Sequence, residues 1–282
     1  MLTRRSFLTT SAAAAASMMF LNHELFAALG KEKLRNVGFI SGIIGKELAG
    51  DWKAILKQTV DFGFNEIETG KYLGDSPGTF LKYCREIGLA HPAGGTVFSD
   101  KEDELNPKLD DLLALEVKYA VVYWPWTGGG PFMLEDCKRS AEKLNKMGEI
   151  CHKKGLTLCW HNHDKEFAAM EDGLPFDYLM NNTDKDLVKC ELDLYWVAKG
   201  GANPLSVLKK YNGRVSILHV KDMAAGPEKD FECPGSGIID FPSIFKESMS
   251  QGIEHYFVER DNCVDGLSCL KSSGEYLRNV RF

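Results

Sequence analysis

Short apolar runs alternate with amphipathic stretches about eight times after residue 34, and this alternation limits the folds open to the chain. Strands that alternate with helices predict right-handed βαβ units and a parallel sheet. The predicted strands are Asn36–Ser41, Asn65–Thr69, Leu89–Gly94, Tyr119–Tyr123, Thr157–Asn162, Leu187–Leu192, Val215–Val220 and Tyr256–Glu259. About eight such units predict a single (β/α)8 TIM barrel. An open doubly wound sheet is the alternative, but no G-x-G-x-x-G follows the first predicted strand.

Amphipathic periodicity places helices between these strands, and the flanking residues indicate where the helices begin and end. The predicted helices include Asp51–Phe62, Thr79–Ile87, Leu134–Lys154 and Pro242–Ser250. We expect Asp51 and Ser243 to cap the first and the last of these helices. Left-handed glycines are expected directly after helical runs, at Gly63, Gly88, Gly155 and Gly252.

The first residues resemble an export signal more than part of a fold. A twin arginine lies in Thr3–Leu8, and an Ala-rich apolar run follows over Ser11–Phe20. This run is too short and too rich in alanine to predict stable membrane insertion. We therefore predict a twin-arginine-type signal peptide over residues 1–28, a barrel over residues 31–282, and a periplasmic or otherwise exported mature protein.

Charge argues against one class of partner. The whole chain carries a formal charge of −6, and loss of Arg4, Arg5 and Glu24 with the signal would make it −7. Nucleic acid binding needs clusters of lysine and arginine, so we expect no nucleic acid partner.

The eight cysteines are scattered and form no CxxC pair. We expect mostly free, buried thiols, because small thiols within strands are commonly buried. A bridge between Cys263 and Cys269 stays open, as does oligomer formation.

Polar side chains gather at the predicted strand ends, where TIM barrels place their chemistry. Residues two apart on a strand share one face, so several of these side chains can point into the barrel together. The polar strand ends comprise Glu66, Glu68, His91, His161, Asn162, His163, Glu191, Asp193, His219, Lys221, Asp222, Glu259 and Asp261. A lone strand histidine is usually only a hydrogen-bonded structural residue. The recurrence over the fifth to the eighth strand instead favours a divalent cation, and imidazole with carboxylate suits Mn, Zn, Co or Fe.

At these positions the chain resembles the sugar isomerase/epimerase group of xylose isomerase-like barrels. The matching motifs are GLTLCWHNHDKEF, ELDLYWVAKGGANP, ILHVKDM, GSGIIDF and FVERD. The resemblance implies a metal set of Glu, Asp, His and Glu, of which Asp193, His219 and Glu259 match. The fifth-strand Glu is absent, and His161 stands in its place. We thus expect one divalent ion, with Mn, Co, Zn or Mg open, held by His161, Asp193, His219 and Glu259.

The resemblance implies a metal-dependent isomerase or epimerase that enolises keto-sugars next to a carbonyl. With Glu259, the expected catalytic residues are His163, Lys221 and Glu68, the last three being candidate bases. The expected substrate contacts are Trp124, Trp196, His91 and Asn162.

Imidazole in place of a carboxylate puts two-carboxylate proton exchange in doubt. It favours the alternative of a lyase or dehydratase that eliminates from 3-keto-glycosides or inosose-like substrates. Two other classes stay open, a phosphodiesterase of the endonuclease IV kind and a non-catalytic sugar binder. The negative charge disfavours the phosphodiesterase.

Overall fold

The protein is described here by a computed structural model that covers residues 33–282. The predicted signal peptide and the first residues assigned to the barrel domain lie outside the described residues. Their cleavage, export and localisation therefore stay predictions.

Eight parallel strands close into a barrel, which confirms the predicted fold class. The barrel strands are β1 (Gly38–Ile40), β2 (Glu66–Glu68), β3 (Ala90–Gly95), β4 (Tyr119–Val122), β5 (Thr157–His161), β6 (Val188–Asp193), β7 (Val215–Val220) and β10 (His255–Val258). Their order around the barrel is β1-β10-β7-β6-β5-β4-β3-β2. A short hairpin, β8 (Asp222–Met223) with β9 (Phe231–Glu232), follows β7 directly.

The connecting segments are mostly helical, as a parallel sheet requires. The α-helices are α1 (Gly45–Leu48), α2 (Trp52–Phe62), α3 (Pro77–Ile87), α4 (Glu102–Ala114), α5 (Leu134–Lys153), α6 (Pro175–Asn182), α7 (Leu194–Lys199), α8 (Pro204–Lys210), α9 (Phe241–Ser250) and α10 (Gly266–Asn279). Two 3₁₀ turns, Ser41–Ile44 and Lys165–Phe167, add to these. Within residues 33–282, no helix combines the length and the apolar character that a bilayer span needs.

Alternation along the strands builds the barrel interior and delivers its polar residues to one end. Ala93, Val121, Cys159, Ile217 and Phe257 form a buried layer inside the barrel. Two residues farther along β5 and β7 the inward positions change to imidazole, at His161 and His219. The apolar layer therefore forms the floor on which the polar strand ends sit.

The helix boundaries follow the expected capping chemistry with one correction. The Asp51 carboxylate accepts a hydrogen bond from the amide of Ala54, as predicted. Ser243 does not cap α9; its amide instead donates to the Asp240 carboxylate, which is the true cap. The prediction put the cap inside the helix because Pro242 was taken as its first residue, whereas α9 begins at Phe241. The expected left-handed glycines are confirmed, for example Gly63 at a φ of 106°.

Most cysteines are free and buried, as predicted, but the structure adds a bridge that the sequence did not indicate. In the described part of the chain, Cys84, Cys137, Cys151, Cys159 and Cys190 are buried thiols, and Cys263 is a half-buried thiol. A disulfide joins Cys233 to Cys269 across 36 residues. This bridge ties the segment after β9 to helix α10.

We expect the Cys233→Ala/Cys269→Ala double variant to lower the free energy of unfolding by about 3 kcal/mol, because the bridge restricts the unfolded chain. Urea denaturation without reductant measures this change. Cys263→Ala removes a thiol outside the bridge and serves as the matched control, with a loss below about 1 kcal/mol. Equal stability of the wild type and the double variant would show that the bridge does not form.

Candidate metal centre

Four side chains predicted as metal ligands meet at the carboxyl ends of neighbouring strands. His161, Asp193, His219 and Glu259 each offer one ligand atom, and these atoms all lie within 4.8 Å of one another. His161 Nε2 is 3.8 Å from Asp193 Oδ2, and His219 Nδ1 is 2.7 Å from Glu259 Oε2. Asp193 lies opposite His219 in the register of β6 and β7. Parallel pairing thus brings the predicted set together.

Asp193 gives the clearest indication that this group fits a cation. One carboxylate oxygen, Oδ1, accepts a hydrogen bond of 2.8 Å from the amide of Trp196. The other, Oδ2, is buried and has no hydrogen-bond partner among residues 33–282. A buried carboxylate oxygen without a partner is costly, and a cation at this point would satisfy it. Two imidazoles with two carboxylates suit zinc, manganese or cobalt.

The ionisation of this group favours cation binding as pH rises. Burial lowers the pKa of His161 well below its usual value, so that the imidazole is neutral, as a ligand must be. Burial raises the pKa of Asp193 well above its usual value, so a bound cation would have to displace a proton there. Glu259 differs, because a hydrogen bond and the charge from His219, with the charge of Lys221, outweigh the effect of burial and lower its pKa well below the usual value.

A second layer of buried carboxylates lies behind the two imidazoles. Glu191 Oε2 is 3.0 Å from His161 Nδ1 and 3.2 Å from His219 Nε2. Glu68 Oε2 is also 3.2 Å from His219 Nε2, while its other oxygen accepts a hydrogen bond from the Tyr123 hydroxyl. Both glutamates are fully buried.

His163 stands beside this centre between two tryptophans. Its ring centroid is 5.1 Å from that of Trp124, 5.2 Å from that of Trp196 and 5.0 Å from that of His161. Burial lowers the pKa of His163 to about 4, which keeps its imidazole neutral at neutral pH. Its Nδ1 atom is buried and makes no hydrogen bond within the described chain. His163 is thus a neutral imidazole with an unpartnered nitrogen beside the ligand group.

Lys221 is fully buried and is surrounded by carboxylates and aromatic rings. Its ammonium pairs with Asp261 and lies 3.9 Å from Asp193 Oδ2 and 3.7 Å from Glu259 Oε1. It also lies 4.6 Å from the ring centroid of Trp196. Burial opposes its charge, but the three carboxylates prevail and raise its pKa. Lys221 therefore stays protonated, which suits a proton donor better than the base that the sequence suggested.

Three other predicted site residues have partners that keep them from the substrate. His91 is the second residue of β3, and its Nε2 and Nδ1 lie 2.7 Å and 3.3 Å from the carbonyl oxygens of Thr69 and Leu115. Its ring also packs edge-on against Phe80. His91 therefore does not join the site, and its predicted substrate contact is wrong.

Asn162 and Glu68 lie near the site, but their hydrogen bonds hold neighbouring residues of the site in place. Asn162 is fully buried, accepts from the amide of Asp193 at 2.9 Å and donates to its carbonyl at 3.3 Å. It thus locks the end of β5 to the end of β6 and is not a substrate contact. Both oxygens of Glu68 are engaged by Tyr123 and His219, so it is not a base facing the substrate.

Glu166 is a buried residue that the sequence reading did not single out, although it lies in the quoted GLTLCWHNHDKEF motif. Its carboxylate accepts hydrogen bonds of 2.7 Å from the Trp126 indole and 3.0 Å from the amide of His163. Glu166 thereby ties the loop after β4 to the chain that carries His163. The signal for it was a glutamate three residues beyond His163, but its indole partner lies 40 residues away and could not be foreseen.

The chain belongs to the xylose isomerase-like TIM barrel family, whose sequence model matches residues 56–259. An inosose dehydratase of Clostridium beijerinckii is 33% identical over 131 residues, which are 41% of this chain and 43% of the relative. The match thus spans less than half the length of that curated relative.

Solved structures extend the comparison over nearly the whole described chain. A sugar phosphate isomerase/epimerase from Parabacteroides distasonis superposes with a TM-score of 0.71 at 25% identity, over 88% of this chain and 94% of that one. The IolI protein, crystallised with a bound zinc atom, gives a TM-score of 0.66 at 17% identity over 85% of this chain and 95% of its own. The prediction of an enzyme of this superfamily is confirmed at that level, because the named relatives are dehydratases and isomerase/epimerases.

We expect the buried Glu166 carboxyl to make stability depend on pH. Burial raises its pKa to about 7 from an ordinary 4.5, so between these values the folded protein holds a proton that the unfolded chain releases. The protonated carboxyl therefore favours folding at low pH. This contribution to the free energy of unfolding, on the order of 3 kcal/mol, is lost as pH rises through about 7.

Urea denaturation at pH 4.5 and pH 8 tests this, with the wild type compared to Glu166→Gln. Between these pH values the free energy of unfolding should fall less in Glu166→Gln than in the wild type, because the variant has no carboxyl at this position. Glu171→Gln changes an exposed glutamate and should show the same fall as the wild type. If all three proteins show the same change with pH, the Glu166 carboxyl does not titrate in this range.

Proposed function

We propose that this protein is a divalent-metal-dependent enzyme that removes a proton from the carbon next to the carbonyl of a keto-sugar. The observation that carries the proposal is the neutral His163 beside the four-residue group of His161, Asp193, His219 and Glu259. Such a mouth combines ligands for a cation with a proton acceptor, which is what enolisation needs. An isomerase or epimerase of keto-sugars, or of their derivatives, is the first candidate.

The residues for a cation are present, and the zinc atom bound by the similarly folded IolI protein supports a metal-dependent function. A divalent ion, when bound, supplies Lewis-acid polarisation of a substrate oxygen. The chain itself holds Asp193, His219 and Glu259 at three neighbouring strand ends and seals them from water on the side of the barrel floor.

His163 supplies the proton acceptor in this proposal. Its low pKa keeps a lone pair free at neutral pH, and Nδ1 has no partner within residues 33–282. When the His163 imidazole takes the α-proton, the C–H electron pair forms a C=C bond and the carbonyl π pair moves to oxygen, which gives an enolate. The tryptophans on either side of His163, Trp124 and Trp196, offer apolar faces for the C–H surfaces of a sugar.

Elimination is the second candidate, and the asymmetry of the acid–base groups favours it. Beside the neutral His163 lies the protonated Lys221, whereas β5 ends in His161 and not in a second carboxylate. In an elimination, the enol electrons expel a β-substituent, its C–O bond breaks, and the Lys221 ammonium gives a proton to the leaving oxygen. The similarity to an inosose dehydratase supports this outcome.

The predicted export signal bears on the substrate. Phosphorylated sugars are mostly cytoplasmic, so an exported enzyme would act on free or glycosidic keto-sugars. We therefore propose unphosphorylated keto-sugars, including 3-keto-glycosides and inosose-like compounds, as the substrate class. An oligomer would be compatible with this proposal, since the barrel mouth is built from one chain.

We expect the purified protein to act on a panel of such keto-sugars when it is loaded with Zn²⁺ or Mn²⁺ and incubated in D2O. It should either exchange a substrate proton for deuterium or eliminate water or an aglycone. Mass spectrometry separates incorporated deuterium without mass loss, which marks isomerisation or epimerisation, from loss of water or aglycone. His163→Asn should reduce turnover at least about 100-fold, because it removes the acceptor. His152→Asn, at an exposed histidine on α5, should keep full activity.

The same panel contains the contradicting outcome. Neither exchange nor product with any member, from a protein that retains its metal, would favour a non-catalytic sugar binder. Equal turnover by His163→Asn and the wild type would remove His163 from the mechanism while leaving the enzyme class intact.

A further inference from the structure

Glu191 lies directly behind both imidazoles of the candidate metal centre and faces neither solvent nor the mouth. Its Oε2 atom is 3.0 Å from His161 Nδ1 and 3.2 Å from His219 Nε2. The register explains this position, because His161 pairs with Glu191 across β5 and β6. Asp193 follows two residues later on the same face, so one strand supplies both a ligand candidate and the group behind it.

A carboxylate oxygen in this position determines which ring nitrogen of each histidine carries the proton. With a cation on the other side of the two rings, Oε2 of an ionised Glu191 would accept from His161 Nδ1–H and from His219 Nε2–H, since such a carboxylate only accepts hydrogen bonds. The other nitrogens face the ligand candidates: His161 Nε2 is 3.8 Å from Asp193 Oδ2, and His219 Nδ1 is hydrogen-bonded to Glu259 Oε2 at 2.7 Å. These two nitrogens therefore lie beside the carboxylates of the ligand group.

The two histidines differ in how much they depend on Glu191. His219 Nε2 has a second acceptor, since Glu68 Oε2 lies 3.2 Å away. For His161 Nδ1, Glu191 is the sole hydrogen-bond partner in the part of the chain that the structure describes. Loss of the Glu191 carboxylate should therefore release His161 first, while His219 keeps its orientation.

We propose that Glu191 is a positioning residue whose single carboxylate orients both histidine ligands and fixes their tautomers. The inference rests on the metal centre in the proposed function and adds to it the group that determines its geometry. Hydrogen-bonded carboxylates behind ligand histidines hold the ring and raise the basicity of the ligand, and their loss costs about 10–100-fold in metal affinity.

The test uses the full chain and Zn²⁺ alone, measured by competition with a chelator. Glu191→Gln should weaken Zn²⁺ binding about 10–100-fold, because it removes the negative charge from the one oxygen that both imidazoles share. Glu191→Asp keeps the charge but withdraws it by about 1.5 Å, so its Zn²⁺ affinity should lie between those of the wild type and Glu191→Gln. Glu66→Gln is the matched control, because Glu66 is a buried glutamate paired with His255, and its Zn²⁺ affinity should stay unchanged.

A spectroscopic readout separates positioning from a general loss of structure. In ¹⁵N-labelled wild type with Zn²⁺, imidazole spectra should show His161 protonated at Nδ1 and His219 at Nε2. In Glu191→Gln the His161 signal should change, while the His219 signal keeps its tautomer through Glu68. If Glu191→Gln does not fold, the affinity and spectra of Glu191→Asp decide.

Wild-type affinity and unchanged tautomers in the folded Glu191 variants would overturn the inference. This failure can be told apart from failure of the proposed function. Zn²⁺ bound normally with no turnover by the wild type contradicts the function alone, whereas turnover with a Glu191→Gln affinity equal to that of the wild type contradicts the positioning role alone.

Discussion

The burial of ionisable groups within one closed barrel is the constraint on which this structure depends. Glu68, Glu191, Asp193 and His219 are fully buried, and so is Lys221. Isolated charges in such a place would be strongly destabilising, so each must be paired, neutral or bound to a cation. Hydrogen bonds satisfy Glu68 through Tyr123 and His219, whereas Asp193 Oδ2 is left without a partner in the described chain. Glu191 Oε1 also lacks a partner there, and a cation beside the two imidazoles would satisfy Asp193 Oδ2.

The geometry of the site follows from the period of two along parallel strands. The positions beneath the site hold Cys159 and Ile217, and the next inward positions hold the two imidazoles. The register sets His161 opposite Glu191 and Asp193 opposite His219, so β6 supplies both a supporting carboxylate and a ligand candidate. A shift of one residue in either strand would turn these side chains toward the helices.

Much of this arrangement could be predicted from the sequence, because it rests on periodicity. The strand pattern indicated the barrel, and polar residues two apart at strand ends indicated the group of His161, Asp193, His219 and Glu259. Periodicity does not reveal partners, however. The roles of Asn162 and Glu68 depend on which neighbour each meets, and His91 lies at the start of β3.

The disulfide and the role of Glu166 could not be predicted from the sequence for a related reason. Cys233 and Cys269 come together only after a loop and a helix have packed, and eight cysteines allow many pairings. The indole that meets Glu166 lies in another strand–helix unit. Contacts between distant segments thus escaped prediction, while patterns within a strand did not.

X-ray absorption on the zinc-loaded protein tests most directly whether His161, Asp193, His219 and Glu259 bind one cation. Our account predicts about one zinc per chain, with two imidazole ligands and carboxylate oxygen at about 2.0–2.2 Å. In His161→Ala the spectrum should retain one imidazole. Sulfur ligation, a shell without imidazole, or a spectrum unchanged by His161→Ala would contradict it.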